Sequence, residues 1–71
     1  MTVRIDARGM RCPWPAIRLA RALREGAAVV EISADDPAAP QELAAVATQA
    51  GASIDHIPGE TFPIFRVIRT V

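Results

Sequence analysis

Arg11-Cys12-Pro13-Trp14-Pro15 holds the only cysteine of the chain, set before two prolines spaced to open a helix. With Cys12 at the N-cap, Pro13, Trp14 and Pro15 take the first three helical positions. Nitrogens there have no partner inside a helix, so proline sacrifices no helical hydrogen bond. Pro13 also steers Cys12 out of the helical region of backbone space. An N-cap side chain accepts from the second or third helical nitrogen. Pro15 has none to give, which leaves the Trp14 amide as the one local donor. The positive end of the helix dipole, with Arg8 and Arg11 close in sequence, then favours thiolate over thiol and draws the pKa below the free value of about 8.5. A thiolate attacks a sulfane sulfur or a disulfide. The competing reading makes Cys12 a small buried hydrophobe, the usual fate of a free cysteine.

Much other chemistry is excluded. One cysteine makes no internal disulfide and no C-x-x-C redox pair, and with a single histidine, His56, it anchors no zinc site. No metal and no cofactor are expected. His56 has no evident triad partners and reads as a strand-edge residue. No apolar run approaches a membrane span and the first residues lack the apolar core of a signal peptide, so a cytoplasmic, reducing location is expected, which suits a free thiol.

The elements that must position Cys12 follow from pattern. Thr2 to Asp6 alternates as a short strand, and Asp6-Ala7-Arg8-Gly9 turns into a loop in which Gly9 supplies a backbone angle that other residues dislike. A helix is expected over Pro13 to Glu25, with Ala16, Leu19, Ala20 and Leu23 as its apolar stripe and Gly26 as its stop. Ala27 to Ala34 reads as a strand. The second helix begins either with Asp36 as N-cap and Pro37 after it, or nearer Pro40; Leu43, Val46, Ala47 and Ala50 form its stripe and Gly51 ends it. Ala52 to Ile57 is a third strand, Pro58-Gly59-Glu60-Thr61 a hairpin turn, and Phe62 to Val71 a fourth strand. Pro63 marks the start of that strand as an edge or as irregular. Apolar residues at both parities leave its core face open. One 71-residue domain results, an α+β two-layer sandwich of order β-α-β-α-β-β, with a mixed four-stranded sheet and both helices on one face.

The net charge is zero but unevenly placed. Residues 1–24 hold six arginines and one aspartate, and residues 25–71 two arginines and seven acids. Arg18 and Arg21, on the outer side of the first helix with Trp14 at its mouth, are candidate contacts for a protein partner. Direct RNA binding is disfavoured by the neutral total, the scarcity of aromatics and the lack of an RNA-binding motif.

The run Asp6-Ala7-Arg8-Gly9-Met10-Arg11-Cys12-Pro13-Trp14-Pro15, with Asp35-Asp36-Pro37 downstream and Phe65-Arg66-Val67-Ile68-Arg69 at the end, resembles the TusA/SirA family of small sulfur carriers. The resemblance covers essentially the whole chain and implies the fold reached above. It implies that Cys12 accepts a sulfane sulfur as a persulfide and passes it on. Pro13 and Pro15 carry over as the shape of the helix mouth, and Asp6 and Gly9 as the supporting loop. Donors in the family include cysteine desulfurases and rhodanese-like enzymes. Acceptors belong to tRNA 2-thiouridine synthesis, molybdenum-cofactor metabolism or sulfur oxidation. A monomer is expected. Trp14 departs from the tRNA-thiolation branch, which typically has an acidic residue there, and the second helix is alanine-rich where that branch shows aromatic and cysteine residues. The alternative from another class is a regulatory or adaptor module that binds a protein through Trp14, with Cys12 structural or redox-sensitive.

Overall fold

The computed structural model describes residues 2–57 and 63–69. The elements are β1 (Thr2–Asp6), α1 (Trp14–Arg24), β2 (Val29–Ser33), α2 (Ala39–Gln49), β3 (Ala52–Ile57) and β4 (Ile64–Arg69). The hairpin turn expected at Pro58 to Thr61, and residues Phe62, Thr70 and Val71 of the expected last strand, lie outside the described residues.

The sheet runs β1-β2-β4-β3. β1 pairs parallel with β2, and β4 pairs antiparallel with β2 on one side and β3 on the other. Parallel pairing of β1 and β2 needs a crossover, which α1 supplies. In register, Ile5 lies beside Ile32 and Val30 beside Val67, with Ile32 beside Phe65, so these side chains share one face. Leu19 and Leu23 of α1 and Leu43 and Ala47 of α2 pack on that face in a single cluster. Both helices therefore cover the same side of the sheet, as the β-α-β-α order requires. The core face of β4 is now assigned: Phe65 and Val67 are buried, while Ile68 is exposed.

Pro63 marks no edge. β4 is an inner strand, and Pro63 stands one residue before its first paired position, where a missing N–H costs no ladder bond. Its carbonyl accepts the Ala34 N–H at 3.2 Å. The edges are β1 and β3, and His56 lies exposed on β3 with its ring stacked on Phe65, centroids 5.2 Å apart.

β2 starts two residues later than its apolar pattern predicts because Ala27 serves the end of α1. Gly26 has φ +101°, its N–H bonds the Leu23 carbonyl, and the Ala27 N–H bonds the Ala22 carbonyl. These are the two bonds of a Schellman stop. Arg69 adds its guanidinium to the Leu23 and Ala27 carbonyls, a cation at the negative helix end.

On the uncovered face, Arg4, Glu31, Arg66 and Asp55 stand in one row across all four strands, alternating in sign. Glu31 pairs with Arg4 at 3.3 Å and with Arg66 at 3.0 Å.

Candidate functional site

Cys12 lies on the loop between β1 and α1, and its thiol is exposed. The core does not use it, so the buried-hydrophobe reading fails. The loop begins with a turn over Ala7–Met10, closed by the Met10 N–H on the Ala7 carbonyl at 3.1 Å. Gly9 holds φ +81° there, with open space around it; a side chain is disfavoured by the backbone angle alone. Ahead of the turn, Asp6 binds the Arg8 guanidinium at 2.8 and 2.9 Å and the Arg8 N–H at 3.1 Å. The Arg8 side-chain bonds first, and its N–H second, lower the Asp6 pKa to about 2.

The far side of the loop is held from the start of α2. Asp35 Oδ1 accepts the Gly9 N–H at 2.9 Å, and Asp36 Oδ2 accepts the Cys12 N–H at 3.3 Å. Asp36 Oδ1 also accepts the Ala38 N–H at 2.8 Å, while its carbonyl takes the Ala39 N–H. This settles where α2 begins. Asp36 closes a turn, Ala38 is the N-cap, and Pro40 is the second helical residue, where its missing N–H is harmless. The Asp35-Asp36-Pro37 run thus ties two segments 24 to 26 residues apart.

The helix mouth differs from the expected register by one residue. Pro13, with φ −101° and ψ 16°, is the N-cap of α1, and Trp14 and Pro15 are its first two residues. The Pro13 carbonyl accepts the first helical bond, from Ile17 at 3.0 Å. The Cys12–Pro13 peptide is cis. Because Cys12 stands one residue outside the cap, it receives no local amide. The Trp14 N–H expected to reach the sulfur is bonded to the Arg11 carbonyl at 2.8 Å.

The sulfur instead meets a carboxylate. Cys12 Sγ donates to Glu42 Oε2 at 2.6 Å. That hydrogen bond, then desolvation, then the charges of Glu42 and Asp36 raise the thiol pKa above its ordinary value. The expected activation by Arg8 and Arg11 is therefore corrected. Arg8 is engaged by Asp6, Arg11 lies exposed, and the charges acting most on the thiol are acidic. The groups around the sulfur therefore favour the thiol over the thiolate.

Beside it, α1 presents an outer stripe. Trp14 is 59% exposed and Ile17 47%, and they continue at helical spacing into the exposed Arg18 and Arg21. Arg21 pairs with Glu25 at 3.3 Å, and Arg18 makes no ion pair among the described residues. Pro15, by contrast, is buried, anchoring the helix mouth in the core. Among the described residues no group of His, Cys, Asp or Glu side chains is placed to hold a metal ion, and no helix is long and apolar enough to cross a membrane.

The model of the family described as sulfurtransferase TusA matches residues 3–69. The chain belongs to the TusA family. Its fold matches the crystal structure of a SirA-like protein from Desulfitobacterium hafniense with a TM-score of 0.80 and 33% sequence identity, covering 99% of this chain and 97% of that one. A search of curated proteins finds no match. TusA membership carries a general role in sulfur transfer, exercised together with protein partners.

The TusA fold thus gathers Asp6, Gly9, Cys12, Pro13 and Trp14 at one loop, with Arg18 and Arg21 further along α1. Sequence reasoning missed Asp36 and Glu42 as neighbours of the cysteine, Asp35 as the anchor of Gly9, and Ile17 as an exposed residue. Ile17 left a signal, being a branched apolar residue off the stripe of Ala16, Leu19, Ala20 and Leu23. Glu42 left none, since an acid in the first turn of a helix is ordinary.

Proposed function

We propose that Cys12 is the sulfur-accepting residue of a carrier that takes sulfane sulfur from one protein and hands it to another. The observation that carries this reading is the exposed thiol on a loop tied down at both ends, by Asp6 through Arg8 and by Asp35 and Asp36 across the molecule. A carrier needs no pocket. It needs a presented nucleophile that is also a tolerable leaving group, and a face for docking.

The step balances without an external oxidant. The Cys12 sulfur attacks the outer sulfur of a donor cysteine persulfide, a new S–S bond forms, and the donor's S–S bond breaks. The donor cysteine departs as thiolate and takes up the proton that Cys12 gave up. Delivery to the acceptor moves the outer sulfur onward and leaves Cys12 as a thiol. Cysteine desulfurases or rhodanese-like enzymes fit the donor role, and an enzyme of tRNA thiolation, molybdenum-cofactor or other sulfur metabolism fits the acceptor role. Trp14 and Ile17 supply apolar contact area and Arg18 a charge for an acidic patch on the partner.

The test is incubation with a cysteine desulfurase and cysteine, followed by intact mass. Wild type gains a reductant-sensitive sulfur and Cys12→Ser does not; equal behaviour of the two sinks the reading. The exposure of Trp14 favours one alternative, an adaptor that binds a protein partner without using the thiol. In that case Cys12→Ser complements a deletion strain and Trp14→Ala does not.

A further inference from the structure

Asp35 and Asp36 hold the loop that presents Cys12, but the carboxylate on the sulfur itself works against a nucleophile. Glu42 takes the thiol hydrogen bond, and Asp36 sits on the cysteine's own amide. Removing the proton from Cys12 would set a thiolate against Glu42 with Asp36 nearby, and like charges at that range oppose ionisation. Yet the nucleophile in sulfur transfer is the thiolate. The contacts of Cys12 in the free protein therefore favour the less reactive, protonated form.

The charged groups on the segments around Cys12 come from three parts of the chain. The loop after β1 brings Arg8, already bound to Asp6, and Arg11. The β2–α2 connection brings Asp35 and Asp36, and α2 brings Glu42. The first turn of α1, Trp14-Pro15-Ala16-Ile17, carries no titratable side chain. The group in direct contact with sulfur is Glu42, and it is only half-buried, so a partner can reach it.

We propose that Glu42 is a latch on the carrier thiol: it keeps Cys12 protonated in the free protein, and a lysine or arginine on the docking partner releases it by pairing with the Glu42 carboxylate. This rests on the reading of Cys12 as the sulfur acceptor and adds the condition under which it reacts. A cation beside Glu42 cancels the repulsion that opposed ionisation and competes for the oxygen that held the thiol proton. The proton leaves to solvent, and the thiolate attacks the donor persulfide as its S–S bond breaks. The same number of protons returns from solvent to the departing donor thiolate. The partner surface is thereby specified as bipolar, with a basic side chain over Glu42 and an acidic patch over Arg18. Sulfur transfer is confined to docked complexes, and stray electrophiles meet a thiol.

The latch is tested on the full-length protein alone, by the rate of alkylation with iodoacetamide across about pH 6 to 10, where thiol ionisation controls reactivity. Glu42→Gln moves the midpoint of the profile to lower pH and speeds alkylation at neutral pH several-fold, since one unit of pKa is about tenfold in thiolate. Glu42→Asp, with its carboxylate drawn back by one methylene, falls between. A pentalysine peptide at low salt speeds alkylation of wild type and leaves Glu42→Gln unchanged. Coincident profiles for wild type and Glu42→Gln overturn the proposal, as does a peptide that leaves wild type unaffected or accelerates both proteins equally. None of these readings uses a sulfur donor. A wild-type protein that shows the shift but never gains sulfur contradicts the carrier role and leaves the latch standing.

Discussion

A cysteine is made reactive or inert by the charges within a few ångströms, and at Cys12 those charges are negative. Glu42 accepts from the sulfur, and the thiol pKa lies above its ordinary value as a result. The opposite case stands six residues earlier. Asp6 accepts three bonds from Arg8, and its carboxyl is lowered to about 2. A folded-state pKa below the unfolded value means that the pair adds stability above the unfolded pKa, near 4, and loses it as pH falls through about 2. Carbon-detected NMR of the Asp6 carboxyl should therefore titrate near pH 2 in wild type and return toward the ordinary aspartate range in Arg8→Ala. An unmoved titration contradicts the assignment. Trp14 belongs to the surface, so Trp14→Ala should leave the denaturation midpoint nearly unchanged while weakening partner binding about tenfold or more, as calorimetry with a sulfur donor protein would measure.

The elements matter here for what they hold in place. Asp36 joins the start of α2 to the Cys12 amide and closes its own turn at Ala38, so Asp36→Ala loses two hydrogen bonds together. Urea unfolding should show a cost of about 1–2 kcal/mol, with faster amide exchange at Cys12 and Ala38. Leu19→Ala, at the centre of the α1 contact with the sheet, should cost about 2–5 kcal/mol. The order of elements was legible in the chain because alternation, helical stripes and Gly stops each leave local marks. Thr2–Asp6 and Ala52–Ile57 stand where their patterns place them. The start of α1 was less legible, because two prolines one residue apart fit a helix mouth in either register. The core face of β4 was not legible, since Ile64, Phe65, Val67 and Ile68 offer apolar residues to both sides. Only pairing on both flanks decides between them. At the site, Cys12 was legible from its neighbours in sequence, whereas its electrostatics came from residues 24 and 30 positions away. Local reading supplied arginines, and folding supplied carboxylates.

The whole molecule is a one-sided sandwich. Helices cover one face of the sheet, and a row of alternating charges crosses the other from Arg4 to Asp55. Exposed pairs of this kind contribute little, so Glu31→Gln should change stability by less than about 1 kcal/mol, well below the effect of Leu19→Ala in the same urea experiment. The stability of the fold rests on the covered face, and the chemistry proposed for it on the loop where β1, α1 and α2 meet. The proposed carrier role then rests on Cys12 alone. The most direct measurement is the intact mass of the protein after incubation with a cysteine desulfurase and cysteine. The persulfide reading of Cys12 requires an added mass of about 32 Da on wild type, removed by reductant and absent from Cys12→Ser. No added mass, or the same addition on both proteins, would contradict it.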